Sequence, residues 1–376
     1  MNDEVQNVSP AVSNRPAGGP DRPRDNDKLA GIQAARGVAA LLVVVYHSTR
    51  ALSLPQYLGY IALGNAFGFG HAGVDFFFVL SGFIITFVHH GDLGRPDRLP
   101  RYIWRRITRI YPIFWVVTAI VCMVVLFSPE RATRLAPWHL VQSLLLIPEH
   151  MDPAVAVAWT LQHEMLFYTA FALAILNRRV GKALVLACVI MVCIGIIAPS
   201  DNMWLQFFES PFHLQFLMGI AAARLLARRD LPAPVPLAMA GAAIFLGFGI
   251  MENYGLFAPY GFISKLLYGS ASVLVLLGIV SAERQRLIHV GSLGLLFGGA
   301  SYSLYLSHQL VAGLTGRALA TVGVLAWLPT VLSVLIMVTA AVVTAVLLYS
   351  FVEVPIMTAI RNASRARQAV PVSLIP

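Results

Sequence analysis

A polytopic all-α membrane protein of about ten transmembrane helices, with both termini in the cytoplasm, is the fold that the sequence predicts. Of its 376 residues, 58% are apolar and only 12% charged, whereas a soluble domain carries about a quarter charged. Apolar stretches of roughly 18 residues or more, each able to cross a hydrocarbon core of about 30 Å as a helix, recur along nearly the whole chain. Lys and Arg collect in alternate segments between those stretches, as the positive-inside rule requires of a correct span count.

The first 28 residues are rich in Pro, Asn, Gly, Asp and Arg and hold no apolar run followed by a cleavage site. They are expected to be a disordered cytoplasmic tail and not a signal peptide. Ten spans are expected at 30–48, 65–88, 110–127, 156–176, 183–199, 207–225, 233–250, 263–281, 293–314 and 324–352. The stretch from Trp138 to Ile147 is too short to cross and is expected in the interface. Residues 29–357 then form one transmembrane domain without a transporter-type internal repeat, followed by a cytoplasmic tail at 358–376.

With the N-terminus inside, the cytoplasmic segments hold Arg15 to Lys28, Arg36, the Arg95 to Arg109 cluster, Arg178 to Lys182, Arg224 to Arg229, Arg284 with Arg286, and Arg361 to Arg367. Only Arg50, Arg131, Arg134, Lys265 and Arg317 fall outside. A missed or invented span would scramble this alternation. The net charge of +9 therefore reads as loop anchoring and contact with membrane lipids, and no nucleic-acid partner is expected. Cys122, Cys188 and Cys193 lie inside apolar runs without CxxC or Cys/His ligand spacing, so neither a disulfide framework nor a metal site is indicated.

Ionisable side chains inside the spans cost several kcal/mol unless they face a partner or a water-filled cavity. Arg36 and His47 lie eleven residues apart in RGVAALLVVVYH, which places them on one helix face about 16 Å apart in depth. Asp75 in GHAGVDFFFVLSGF, Glu164 in WTLQHEM and His308 in SYSLYLSHQ fall at depths comparable with His47. His47 and Asp75 are within reach of a pair on that arithmetic, although such groups also serve as plain interhelical hydrogen bonds. In RYIWRRITRIYP, Arg105 and Arg106 stand four and three residues before Arg109. That spacing suits a polyanion such as phosphate, and equally suits topology anchoring or lipid-phosphate contact. Glu353, just before the helix-breaking Pro355, is expected to cap the last helix or pair with a cytoplasmic Arg.

Taken in order, these segments resemble the acyltransferase 3 family of bacterial membrane proteins. The resemblance is carried by Arg36, Gly37, Tyr46 and His47; by the segment from Gly73 to Phe83; by Arg106, Arg109, Tyr111 and Pro112; by Trp159 to Glu164; by Ser301, Tyr302, Tyr305 and His308; and by Glu353 and Pro355. One departure is Ala34-Ala35 ahead of Arg36, where the family more often has Gly-Leu; it touches packing at the helix entry. Many relatives carry a C-terminal esterase-like domain, and this chain is read as the membrane part without it.

The resemblance implies an acyl-CoA-dependent O-acyltransferase of the bacterial inner membrane. Its co-substrate is acetyl-CoA or another acyl-CoA, its acceptor a saccharide or lipid-linked saccharide, and polysaccharide assembly machinery a possible partner. By the same resemblance His47 is the candidate general base, Asp75 its orienting acid, and Arg36, Arg106 and Arg109 the receivers of coenzyme A phosphates. Glu164 is placed with the catalytic groups; Tyr46, Trp159, Tyr305 and His308 are expected to contact substrate. An acyl-enzyme step stays open, because no Cys or Ser sits in a nucleophile motif. Two other classes compete: a transporter of saccharides or lipid-linked saccharides, in which midplane charges also face a cavity, and a structural partner of an assembly complex, which needs no matched polar layer.

Overall fold

The computed structural model describes residues 30–127, 135–228 and 231–369. The expected N-terminal tail at 1–28, Arg131, Arg134, Arg229 and the end of the C-terminal tail lie outside those residues. The described residues hold helices and no strand.

Helix α1 (Ala30–Leu52) is followed by α2 (Gly73–His89), α3 (Leu99–Leu126), the short α4 (Pro137–Leu145), α5 (Trp159–Leu176) and α6 (Arg178–Ile197). Then come the short α7 (Met203–Glu209), α8 (Phe212–Arg228), α9 (Pro234–Asn253), α10 (Phe262–Arg284), α11 (Ser292–Thr321), α12 (Thr330–Leu348) and α13 (Val354–Ala369).

Seven helical stretches are long and apolar enough to cross a bilayer: Ala30–Leu52, Gly68–Asp92, Pro96–Leu126, Arg178–Ile197, Pro234–Asn253, Phe262–Arg284 and Thr330–Ser364. The three remaining expected spans correspond to α5, α8 and α11. They carry Gln162, His163 and Glu164; His213 and Gln215; and Ser301, Ser303, Ser307 and His308. The groups they turn toward the interior, all buried except Glu164, lower their apolarity, and α8 at 17 residues is also short for a full crossing.

Three boundaries differ from the sequence reading. The basic segment before the third span is helical from Leu99, so its arginines sit on the same rigid rod as the span. The expected span at 207–225 is broken at Ser210 and Pro211 into α7 and α8, as a proline that cannot donate to the preceding turn dictates. Pro355 does not end the last helix: a π-turn at Tyr349–Glu353 widens the backbone, and α13 continues with Pro355 in its first turn, where its missing N–H is harmless.

The helices pack as pairs, α1 on α11, α2 on α8, α9 on α10 and α11 on α12. Glycines set the closest of these approaches, as is usual where no hydrophobic effect drives helices together. A Cβ on Gly82 of α2 would lie 2.1 Å from the Phe216 carbonyl oxygen, and one on Gly219 of α8 would lie 2.0 Å from that of Val79. Gly82→Val is expected to lower the melting temperature of the detergent-solubilised protein by forcing α2 from α8, a cost of about 1–3 kcal/mol; an unchanged melting curve would show that the two helices are not in backbone contact.

Candidate functional site

Two polar regions occupy opposite ends of α1, one around Arg36 and one around His47. The first is a cavity of about 270 Å³. Into it α1 directs Arg36, α2 Ser81, α3 Arg106 and Arg109, α5 Thr160, Glu164 and Tyr168, and α11 Tyr302 and Tyr305. The three arginines and Glu164 singled out in the sequence thus converge on one space, although they come from three different helices.

Glu164 is fixed from two sides. Its Oε1 accepts from Ser81 Oγ at 3.1 Å and from the Tyr168 hydroxyl in a short hydrogen bond. Arg106 lies over the rings of Tyr102 and Tyr168, 5.6 and 5.3 Å from their centroids. Its Nη2 donates to His89 Nε2 at 3.1 Å. Because that bond makes Nε2 the acceptor, His89 carries its proton on Nδ1 and donates it to Asp92 Oδ2 at 2.8 Å. Arg36 and Arg109 make no hydrogen bond or close ion pair among the described residues; both line the cavity with the Glu353 carboxylate in electrostatic reach, and Arg36 has Glu164 in reach as well. Glu353 accepts from Ser303 Oγ at 2.6 Å and has Arg109 and Arg36 in electrostatic reach, without a hydrogen bond from either.

At the other end, His47 and His308 meet with His308 Nε2 3.2 Å from His47 Nδ1. His308 Nδ1 lies 2.7 Å from the Tyr305 carbonyl oxygen and must donate to it, which leaves its Nε2 as a lone pair. His47 Nδ1 then carries a proton shared between His308 Nε2 and the Val43 carbonyl oxygen at 2.9 Å. His47 Nε2 is left as a lone pair without a partner among the described residues, and it is not sealed from solvent.

The expected pair of His47 with Asp75 is not formed. Asp75 is fully buried, accepts from Gln215 Nε2 at 2.5 Å and is bound by Lys265 Nζ at 3.1 Å. A buried carboxylate takes the strongest donor in reach, and here that is an ammonium on α10, so the orienting groups of His47 are a backbone carbonyl and a second imidazole. Lys265, counted in the sequence reading among the outer-side charges at the start of the 263–281 span, sits in the first turn of α10 with 3% of its surface exposed.

A histidine–carboxylate pair does exist nearby: His71 Nε2 lies 2.7 Å from Glu252 Oε1, and Glu252 Oε2 accepts from Tyr268. Tyr46 joins the two histidine groups, its ring 5.0 Å from that of His47 and 5.7 Å from that of His71, while its hydroxyl lies 3.0 Å from that of Tyr260.

Tyr305 separates the regions. Its ring lies 5.9 Å from that of His308, its hydroxyl lies 2.9 Å from Thr160 Oγ1, and it lines the arginine cavity. Trp159, expected to contact substrate, does not line that cavity; it packs among Phe78, His163 and Phe212. Sequence reasoning missed Lys265, Gln215, His71 and Glu252 as parts of the polar interior; a His and a Glu near the ends of apolar runs were the only signals for the last two.

Residues 29–350 match the family model described as an acyltransferase domain. Over 275 residues the chain is 30% identical to the exopolysaccharide production protein ExoZ of Rhizobium meliloti (strain 1021), an alignment covering 69% of this chain and 82% of that protein. Over 229 residues it is 28% identical to the acyltransferase MdmB of Streptomyces mycarofaciens, covering 53% of this chain and 58% of that one. No solved structure matches.

Proposed function

The chain belongs to this acyltransferase domain family, and from that premise we propose that it moves an acyl group, acetyl in the first instance, from an acyl-CoA to a hydroxyl of a sugar. The acceptor is a surface or exported polysaccharide or its lipid-linked precursor, in keeping with the name of the ExoZ relative, an exopolysaccharide production protein. The protein sits in the bacterial inner membrane through ten spans, with α5, α8 and α11 among them and both termini cytoplasmic, so that Arg36, Arg106 and Arg109 stand at the cytoplasmic mouth.

One observation carries the reading: an arginine-lined cavity ends at Tyr305, and an imidazole with an open lone pair lies in the next layer beyond it. Coenzyme A phosphates meet the guanidinium groups of Arg36, Arg106 and Arg109, and the pantetheine arm carries the thioester inward past Glu164. The acceptor oxygen attacks the thioester carbonyl carbon while its proton passes to His47 Nε2. The carbon–sulfur bond then breaks, and the leaving thiolate takes that proton, restoring neutral His47. His308 keeps the proton of His47 on Nδ1 before each turnover, the task assigned to Asp75 in the sequence reading.

Arg106→Ala is expected to raise the KM for acetyl-CoA about tenfold, the loss of one charge-assisted contact. Steady-state kinetics at fixed acceptor check this, and an unchanged donor dependence would make Arg106 an anchor only. The function as a whole is tested by mass analysis of surface glycans from a deletion strain. Loss of one acyl mass, restored by the wild-type gene, supports the reading; glycans of unchanged acylation would refute it.

A further inference from the structure

Beside the arginine cavity lies a second, smaller one of about 210 Å³, lined by His89, Asp92, Arg98, Arg101, Tyr102 and Arg105. We propose that it binds the 3′-phosphate of the coenzyme A donor, so that the nucleotide end of that molecule is held here while its thioester end lies in the arginine cavity. The proposal rests on the donor reading given above and extends it to residues and a subsite not so far assigned.

Spacing along α3 makes the basic face. Arg98, Arg101 and Arg105 follow one another at i, i+3 and i+7, and so lie on one side of the helix. Asp97 takes Arg98 Nε at 3.1 Å, and Asp92 is engaged by His89 at 2.8 Å. Arg101 and Arg105 have neither a hydrogen bond nor an ion pair among the described residues. Two like charges one turn apart repel each other, and the positive end of the α3 dipole adds to them; an anion between them relieves both. A phosphate monoester, with nearly two charges and three acceptor oxygens, matches two forked guanidinium groups.

The connection to the first cavity comes from adjacent residues. Arg105 faces the smaller cavity and Arg106 the larger, because one step along a helix turns the side chain by about 100°. The partition between them is the hydrogen-bonded chain Arg106–His89–Asp92, stacked edge-on against Tyr102. A ligand that uses both spaces is anionic at one end and reactive at the other, which describes an acyl-CoA.

The test compares acetyl-CoA with acetyl-3′-dephospho-CoA as donors for the purified full-length protein and for an Arg101→Ala/Arg105→Ala variant. The wild type is expected to show a KM about tenfold lower for acetyl-CoA, and the variant to show equal KM values for the two donors because only the acetyl-CoA value has risen. A variant that keeps the wild-type preference overturns the proposal. Binding of 3′,5′-ADP, read as a thermal shift in phosphatidylcholine nanodiscs, serves as an arm that needs no turnover: the shift is expected in the wild type and absent in the variant. No shift in the wild type, with stabilisation by phosphatidylglycerol lost in the variant, would assign these arginines to lipid phosphate instead. A 3′,5′-ADP shift lost in the variant, with no acyl transfer from either donor, would leave the site standing and defeat the acyltransferase reading.

Discussion

His47→Ala is expected to lower acyl transfer about a thousandfold, within the range that a positioned general base supplies. The variant should still insert in the membrane and melt as the wild type does, because His47 is only half-buried and its one partner besides His308 is the carbonyl of its own helix. Its open Nε2 is the feature that separates it from the other imidazoles of this region. His308 is fully buried with both nitrogens engaged, and His71 is committed at Nε2 to Glu252. Transfer of labelled acetyl to a saccharide acceptor, normalised to membrane-extracted protein, measures the effect. Wild-type activity in the variant would take His47 out of the chemistry.

The second large effect concerns stability. Asp75→Ala leaves the Lys265 ammonium buried at 3% exposure beside the rings of Phe212 and Tyr260 with no counter-charge. Removing one partner of such a pair costs about 3–5 kcal/mol, whereas replacing both by apolar groups is often close to neutral. Asp75→Leu combined with Lys265→Met is therefore expected to recover most of the melting temperature lost in either single variant. This separates the two roles open to Asp75. A structural ion pair gives strong coupling between the substitutions, while an Asp75→Asn variant that melts normally yet transfers nothing would return the carboxylate to the reaction.

The Asp75 result also marks where the sequence stops being informative. Arithmetic at about 1.5 Å per residue places His47 and Asp75 at one depth, but it says nothing of azimuth, and α2 turns its carboxylate toward α8 and α10. Lys265 was hidden for a related reason: as the third residue of the expected 263–281 span it read as a charge at the outer end, and its depth gave no sign that it turns inward to Asp75. Arg36, Arg106, Arg109 and Glu164 were legible because an ionisable group in or beside an apolar run demands a polar surrounding, and their helices share one in the cavity they line. His71 and Glu252 gave no comparable signal, since both stand at the ends of apolar runs where a solvated position was equally open. Trp159 does not share the arginine cavity with Glu164, since residues five apart on a helix diverge by about 140°.

Helix pairing follows the same division. Gly82 and Gly219 reveal small positions in the sequence, yet their meeting across α2 and α8 depends on register that only the fold supplies. The polar spans α5 and α11 bring Thr160, Glu164, Tyr168, Tyr302 and Tyr305 to the cavity wall, so part of what makes these two helices less suited to lipid by composition is turned into that cavity.

In the proposed reaction an acyl-CoA, entering among Arg36, Arg106 and Arg109, gives its acyl group to a hydroxyl activated by His47. Incubating the purified protein with labelled acetyl-CoA and a saccharide acceptor, and following free thiol together with label in the sugar, tests it most directly. One thiol is expected to be released per acetyl group found as a sugar ester, and neither from the His47→Ala protein. Saccharide binding or passage across a proteoliposome membrane with no thiol released would contradict it and point to a transporter.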